Sequence, residues 1–133
     1  ICFPRSSEED FAATCEVVKD LEFSSVHVFK YSQREGTPAA EFEGQVHSKV
    51  KNERSERLRK IARNLARQYQ KKFINTTQEV LLEERRDKQT NLLTGLTDNY
   101  LRVLAAGEDK LKGELVEVEL RAENDKLFGE LVE

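Results

Sequence analysis

The sequence predicts an α+β chain in three parts. These are a short strand–helix–strand unit over residues 1–47, a long basic helix over 48–73, and a small five-stranded β-barrel or sandwich over 74–133. Three observations carry that reading. Between Ser48 and Phe73 the apolar residues Leu58, Ile61, Leu65, Tyr69 and Phe73 recur at intervals of three and four, with Ala62 and Ala66 beside them. This is the stripe of an amphipathic helix. After Phe73 the period drops to two, clearest where Val116, Val118 and Leu120 alternate with Glu117 and Glu119, the pattern of half-buried strands. Before Ser48, a helix with Ser and acidic residues at its start stands between two short apolar stretches.

Taken in order, Ile1–Arg5 reads as the end of a buried strand, broken by Pro4. Ser6 or Ser7 caps a helix that runs to about Leu21, with Glu8, Glu9 and Asp10 at the positive end of its dipole and Phe11, Cys15, Val18 and, at its end, Leu21 on its inner face. Ser25–Tyr31 is β-branched and aromatic, a strand signal. Strand, helix and strand within so short a span predict parallel pairing. Ser32–Val46, with Gly36, Pro38 and Gly44, is a loop. It follows the carboxyl end of a parallel strand, where α/β proteins place their chemistry. Beyond the helix, strands are expected over Thr77–Glu84, Leu92–Leu96, Tyr100–Ala105, Gly113–Arg121 and Lys126–Val132. Polar turns separate them, and Arg85–Gln89 is one. Short strands at spacings near ten residues indicate a small barrel or sandwich.

Charge sharpens the division. Ser48–Phe73 carries ten basic residues and two acidic ones, a net +8, whereas the whole chain is −3 and the remainder therefore −11. Phosphate binding is the natural use of so unbalanced a helix, and Arg59, Arg63 and Arg67 are its candidate contacts. No stretch approaches the roughly 20 apolar residues of a membrane span, and residues 1–20 lack a signal-peptide pattern. Cys2 and Cys15 are the only cysteines. They make neither a disulfide scaffold nor a metal site and are read as reduced thiols of an intracellular, cytoplasmic protein. The opening Ile-Cys-Phe-Pro, without Met, reads as a piece of something larger. His27 and His47 lack partners at metal-ligand spacing. Glu83-Glu84 ahead of Arg85-Arg86 reads as a solvated hairpin rather than an acid/base pair. Neither a catalytic triad nor a phosphate-binding glycine loop is present, so no catalytic residue and no metal ligand is assigned.

Three stretches, in order, resemble the radical-SAM tRNA methylthiotransferases. Phe3-Pro4 with Glu8-Glu9-Asp10-Phe11 is similar to the family's F-P-G-E-T-E-E-D-F. Tyr31-Ser32-Gln33-Arg34-Glu35-Gly36-Thr37-Pro38-Ala39-Ala40 is similar to Y-S-x-R-x-G-T-P-A-A, continuing to Gly44-Gln45-Val46 and Lys51-Asn52-Glu53-Arg54. Leu96-Thr97-Asp98-Asn99-Tyr100-Leu101-Arg102-Val103 is similar to the signature of the family's TRAM domain. His27-Val28-Phe29 and the Asn-Tyr-Leu-Arg run look most like the branch acting on N6-threonylcarbamoyladenosine, with the isopentenyladenosine branch second.

The resemblance implies the last βα units of a partial (β/α) radical-SAM barrel, the connecting helix and a TRAM β-barrel. The parent enzyme would methylthiolate C2 of a hypermodified adenosine beside the tRNA anticodon, using two 4Fe–4S clusters and S-adenosylmethionine. This span would hold the anticodon stem-loop and wall part of the active site, partnered by the remaining N-terminal part of the enzyme. Asn99, Tyr100 and Arg102 are then RNA-binding candidates, because a Tyr ring stacks on a base and Arg meets phosphate. Tyr100 and Arg102, two apart on a strand, would share a face. Arg34, Thr37 and Pro38 would form a lip of the substrate pocket. The family's C-x-x-x-C-x-x-C is absent, so the chain would be inactive alone. Cys2, Arg5 and Ser6 stand where the family has Gly, Gly and Glu, which weakens the loop's contact to S-adenosylmethionine. The alternative is a stand-alone RNA-binding TRAM module.

Overall fold

The structure, a computed structural model, describes residues 1–132 and divides into two compact units, Ile1–Tyr69 and a second beginning at Gln70.

The first unit is built on two helices. Helix α1, Glu8–Asp20, opens on a reciprocal capping box: the Asp10 amide donates to Ser7 Oγ at 3.0 Å, and the Ser7 amide donates to Asp10 Oδ2 at 2.7 Å. The cap satisfies amides that would otherwise lack partners in the first turn. Helix α2, Ser48–Lys71, ends two residues short of the expected Phe73. Phe11, Cys15 and Val18 of α1 pack with Leu58 and Leu65 of α2, and Ile1, Val26, Val28 and Ile61 close the edges. Leu21, expected on the same face, is instead 59% exposed, because it is the C-cap where the chain leaves the helix. The predicted stripe is thus the core of this unit.

The strands predicted over residues 1–5 and 25–31 do not form as regular strands. They share one parallel step, in which the Ile1 amino group donates to the Phe29 carbonyl at 2.7 Å and the Tyr31 amide donates to the Ile1 carbonyl at 2.8 Å. The predicted direction is right. The ladder stops there because Cys2 adopts φ +64° and turns the chain away from an extended path.

The second unit is a closed five-stranded barrel, as the TRAM resemblance implies. Its strands are β1 (Thr77–Arg86), β2 (Leu93–Thr97), β3 (Arg102–Ala105), β4 (Leu115–Glu123) and β5 (Lys126–Leu131), in the cyclic order β1-β2-β3-β5-β4. All pairs are antiparallel except β3 with β5. Val80, Leu82, Leu93, Val103, Val118, Leu120 and Leu127 fill the interior, each at most 2% exposed. Gly95 and Gly129 are required by this packing. A Cβ at Gly95 would stand 2.4 Å from Val80 Cγ1, and one at Gly129 2.8 Å from Val118 Cγ2.

Two expectations are corrected here. Glu83–Arg86 belongs to β1, whose register is irregular between Leu82 and Arg86. The turn begins instead at Asp87, whose carboxylate accepts from the Thr90 amide at 2.8 Å and whose carbonyl accepts from the Asn91 amide. Strand β3 begins at Arg102, since Tyr100 adopts φ +63°, outside the extended region.

Candidate nucleic-acid interface

The turn joining β2 to β3 is locked from beneath. Thr97, 4% exposed, donates its amide to the Leu101 carbonyl at 3.1 Å, and its carbonyl accepts the Tyr100 amide at 3.0 Å. Its Oγ1 accepts the Leu101 amide at 2.9 Å and donates to Asn99 Oδ1. Thr97 and Leu101 are buried, whereas Tyr100 between them is 83% exposed. Asn99 supports the turn from inside rather than facing outward as a free polar group. Tyr100 and Arg102 do not share a strand face, because the left-handed Tyr100 lies in the turn. The arrangement presents an exposed aromatic ring on a hydrogen-bonded turn, the geometry a stacking platform needs.

Arg102 is not a bare cation. Its guanidinium reaches the Glu83 carboxylate on β1 at 2.5 and 3.3 Å, and Thr94 Oγ1 on the intervening β2 lies 2.8 Å from the same carboxylate. Arg102 and then Thr94 hold the Glu83 carboxyl below its ordinary value. Sequence spacing carried no sign of this pair, since its members lie 19 residues and two strands apart.

On α2 the three nominated arginines differ. Arg59 Nη1 meets Glu56 at 3.0 Å. Arg63 is exposed and, among the described residues, has no hydrogen bond or ion pair. Arg67 is exposed and has an interaction partner. Arg59 and Arg63 line a groove of about 430 Å³ with Val26–Phe29, which brings the exposed His27 and Phe29 beside them. Arg54, one of the ten basic residues counted on this helix, is 6% exposed. Its Nε donates to Glu8 Oε2 at 3.1 Å and its Nη1 to the Ser6 carbonyl at 3.0 Å. Its position, four residues before Leu58 on the apolar stripe, was the available signal.

The nominated pocket residues form a structured loop. Thr37 donates both its amide (3.2 Å) and Oγ1 (2.7 Å) to the Arg34 carbonyl, across Gly36 at φ +79°. Pro38 opens a short 3-10 helix, Pro38–Glu41. Thr37 and Pro38 therefore shape the backbone, while the Arg34 guanidinium is left to solvent. A cleft of about 380 Å³ nearby is lined by Cys2, Phe3, Ser6, Asp10, Tyr31 and Arg54 among others, with none of Arg34, Thr37 or Pro38.

The residues do not fit an iron–sulfur cluster. Cys2 and Cys15 are both buried, and no group of three or more ligating side chains occurs among the described residues, whereas such clusters are held by several thiolates. The loop from Cys2 to Ser6 does not suit close backbone approach of S-adenosylmethionine either. Cys2 at φ +64° and Arg5 at φ +68° hold glycine-like conformations while carrying side chains.

No protein-family model matches the chain. Among curated proteins it is 40% identical over 120 residues to the threonylcarbamoyladenosine tRNA methylthiotransferase MtaB of Bacillus subtilis, across 89% of this chain and 27% of that protein. It is 39% identical over 132 residues to a tRNA-2-methylthio-N(6)-dimethylallyladenosine synthase of Aquifex aeolicus, across 98% of this chain and 29% of that protein. A synthase of the same name from Natranaerobius thermophilus is 36% identical over 132 residues, 98% of this chain and 29% of that protein. The chain belongs to the tRNA methylthiotransferase family and spans somewhat more than a quarter of the length of the relatives it matches.

Proposed function

We propose that this chain is a segment of an enzyme that methylthiolates an adenosine in tRNA, and that it holds the tRNA rather than carrying out the chemistry. The observation that supports this most directly is Tyr100. A polar-tipped aromatic is held 83% exposed on a turn in which Thr97 bonds the Tyr100 and Leu101 amides and the Leu101 carbonyl. Arg102 on the adjoining strand and Arg63 on α2 supply positive charge for phosphate, with Arg59 and Arg67 beside Arg63, and Arg34 stands at the rim of the loop that follows residues 25–31. The family's two 4Fe–4S clusters and S-adenosylmethionine would be bound by other parts of the enzyme, since the cysteines and loop here do not suit them. The substrate we assign is N6-threonylcarbamoyladenosine beside the anticodon, on the likeness of His27-Val28-Phe29 and Asn99–Arg102 to that branch. Among the described residues no helix is long and apolar enough to cross a membrane, and we place the protein in the cytoplasm.

The test is binding to anticodon stem-loops carrying either the N6-threonylcarbamoyl or the N6-dimethylallyl group, measured on the complete enzyme. Tighter binding of the threonylcarbamoyl form supports the assignment, and preference for the dimethylallyl form overturns the substrate while leaving the tRNA reading intact. One observation favours a second reading, a stand-alone RNA-binding module: the barrel closes on itself within the second unit, with its own core. That reading gains if the barrel alone binds tRNA as tightly as the whole enzyme.

A further inference from the structure

We infer that Arg54 is a positioning residue that holds the Cys2–Ser7 loop, one rim of the 380 Å³ cleft, in its left-handed geometry. The inference concerns the first unit and does not depend on the RNA reading.

The loop contains two non-glycine residues at positive φ, Cys2 and Arg5. Left-handed backbone crowds a Cβ against the following carbonyl, so such a conformation persists only where the surroundings over-determine it. Two backbone bonds contribute: the Arg5 amide to the Gly44 carbonyl at 2.8 Å and the Ser6 amide to the Phe3 carbonyl at 3.0 Å. The third restraint is a side chain from a distant part of the sequence. Arg54 grips the Ser6 carbonyl and the Glu8 carboxylate, one on either side of Ser7, the residue that caps α1.

The grip is well placed to be strong. The Arg54 guanidinium is buried and lies 5.6 Å from the Phe11 ring centroid, so water competes poorly for its donors. Its acceptors belong to the loop and to the first turn of α1, whereas Arg54 itself is anchored on α2 beside Leu58. Arg57 meets the same Glu8 carboxylate at 2.5 Å, but it is more than half exposed and makes no bond to the loop backbone. Among the described residues Arg54 alone therefore links the loop to the long helix through both a charge and a main-chain carbonyl. Tight rim geometry is what a cleft wall requires if it is to meet a ligand without reorganising.

The chain carries its own reporters. The Cys2 thiol sits in the loop and the Cys15 thiol on the inner face of α1, and both are buried. The experiment follows alkylation of each thiol by mass spectrometry in the native protein, with the melting temperature recorded in parallel. Arg54→Ala is expected to raise Cys2 labelling by roughly tenfold or more, from loss of a charged hydrogen bond, with Cys15 changed less than twofold. Millimolar ethylguanidinium, filling the vacated space, is expected to restore Cys2 protection, whereas ethylammonium is not. Should Arg54→Ala unfold the protein, Arg54→Lys decides: it keeps the positive charge beside Glu8, but a single ammonium cannot reproduce the forked bonds to both Glu8 and the Ser6 carbonyl, and a rise at Cys2 alone supports the inference. Unchanged Cys2 labelling, equal rises at Cys2 and Cys15, or failure of ethylguanidinium to restore protection would overturn it.

Discussion

The guanidinium of Arg102 on β3 closes onto the carboxylate of Glu83 on β1, reaching across β2, where Thr94 lies against the same carboxylate. The pair restrains a cation that the tRNA reading places at the RNA surface. Substituting Glu83→Gln removes the competing charge and is expected to tighten tRNA binding about threefold, adding close to one phosphate contact to the salt dependence. Unchanged affinity and salt slope would remove Arg102 from the interface.

Tyr100 separates binding from stability. Its ring is exposed, so Tyr100→Ala is expected to leave the melting temperature nearly unchanged and to weaken RNA binding by about 1–3 kcal/mol if a base stacks on it. Tyr100→Gly relieves the positive φ and is expected to raise stability by about 1 kcal/mol while weakening RNA binding as the Ala variant does. Equal RNA affinity in all three proteins would rule out the stacking role.

The loop before α1 makes a parallel prediction without RNA. Arg5 adopts φ +68°, and a Cβ at Gly44 would stand 2.9 Å from Arg5 Cγ. Arg5→Gly is expected to stabilise the protein by about 1 kcal/mol, a few degrees in melting temperature. Gly44→Ala is expected to destabilise it. A fall in melting temperature for Arg5→Gly would mean that the Arg5 side chain contributes more than the backbone loses.

Inside the barrel, Gly95→Ala is expected to cost more than about 2 kcal/mol in denaturant unfolding, since its methyl group would meet Val80 Cγ1 and the Leu81 carbonyl. A small change would mean that β1 and β2 can separate locally at little cost.

Acid stability follows from carboxylates held in their ionised form. Glu8 is shifted down chiefly by its hydrogen bond from Arg57, Asp10 by the Ser7 amide, Glu83 by Arg102, and Asp109 by Lys112 and Arg86. Each folded-state value lies below the unfolded one. Their contribution is therefore complete above the ordinary carboxylate range of about 4 to 4.5 and is lost as pH falls through the depressed values. Melting temperature should be level from pH 7 to about 5 and fall below about pH 4.5. A decline beginning near pH 6 would mean that these carboxylates do not set the acid limit.

Much of this fold was legible because it rests on periodicity. The α2 stripe and the alternation of Val116, Val118 and Leu120 named their buried faces correctly, and the ends of the elements moved by a few residues. What was illegible depended on partners remote in sequence or on single backbone angles. Arg54 looks like its charged neighbours until Ser6 and Glu8 are brought to it. Glu83 looks like part of a polar turn until β2 and β3 place Thr94 and Arg102 around it. Tyr100 fits a strand by composition, and only its left-handed φ, fixed by the Thr97 bonds beneath, takes it out of one. Cys2 and Arg5 are a further case, since neither residue type favours the positive φ that each adopts.

The central claim, that this segment holds tRNA through the Tyr100 turn and the basic residues, is tested most directly by one titration. Binding of the protein to a tRNA anticodon stem-loop is measured from about 50 to 300 mM salt, for the natural sequence and for Tyr100→Ala with Arg63→Ala. The account predicts affinity that falls steeply with salt, a slope of about −2 or steeper, and a clearly weaker, shallower line for the double variant. Affinity that is indifferent to salt, or identical lines for the two proteins, would contradict it.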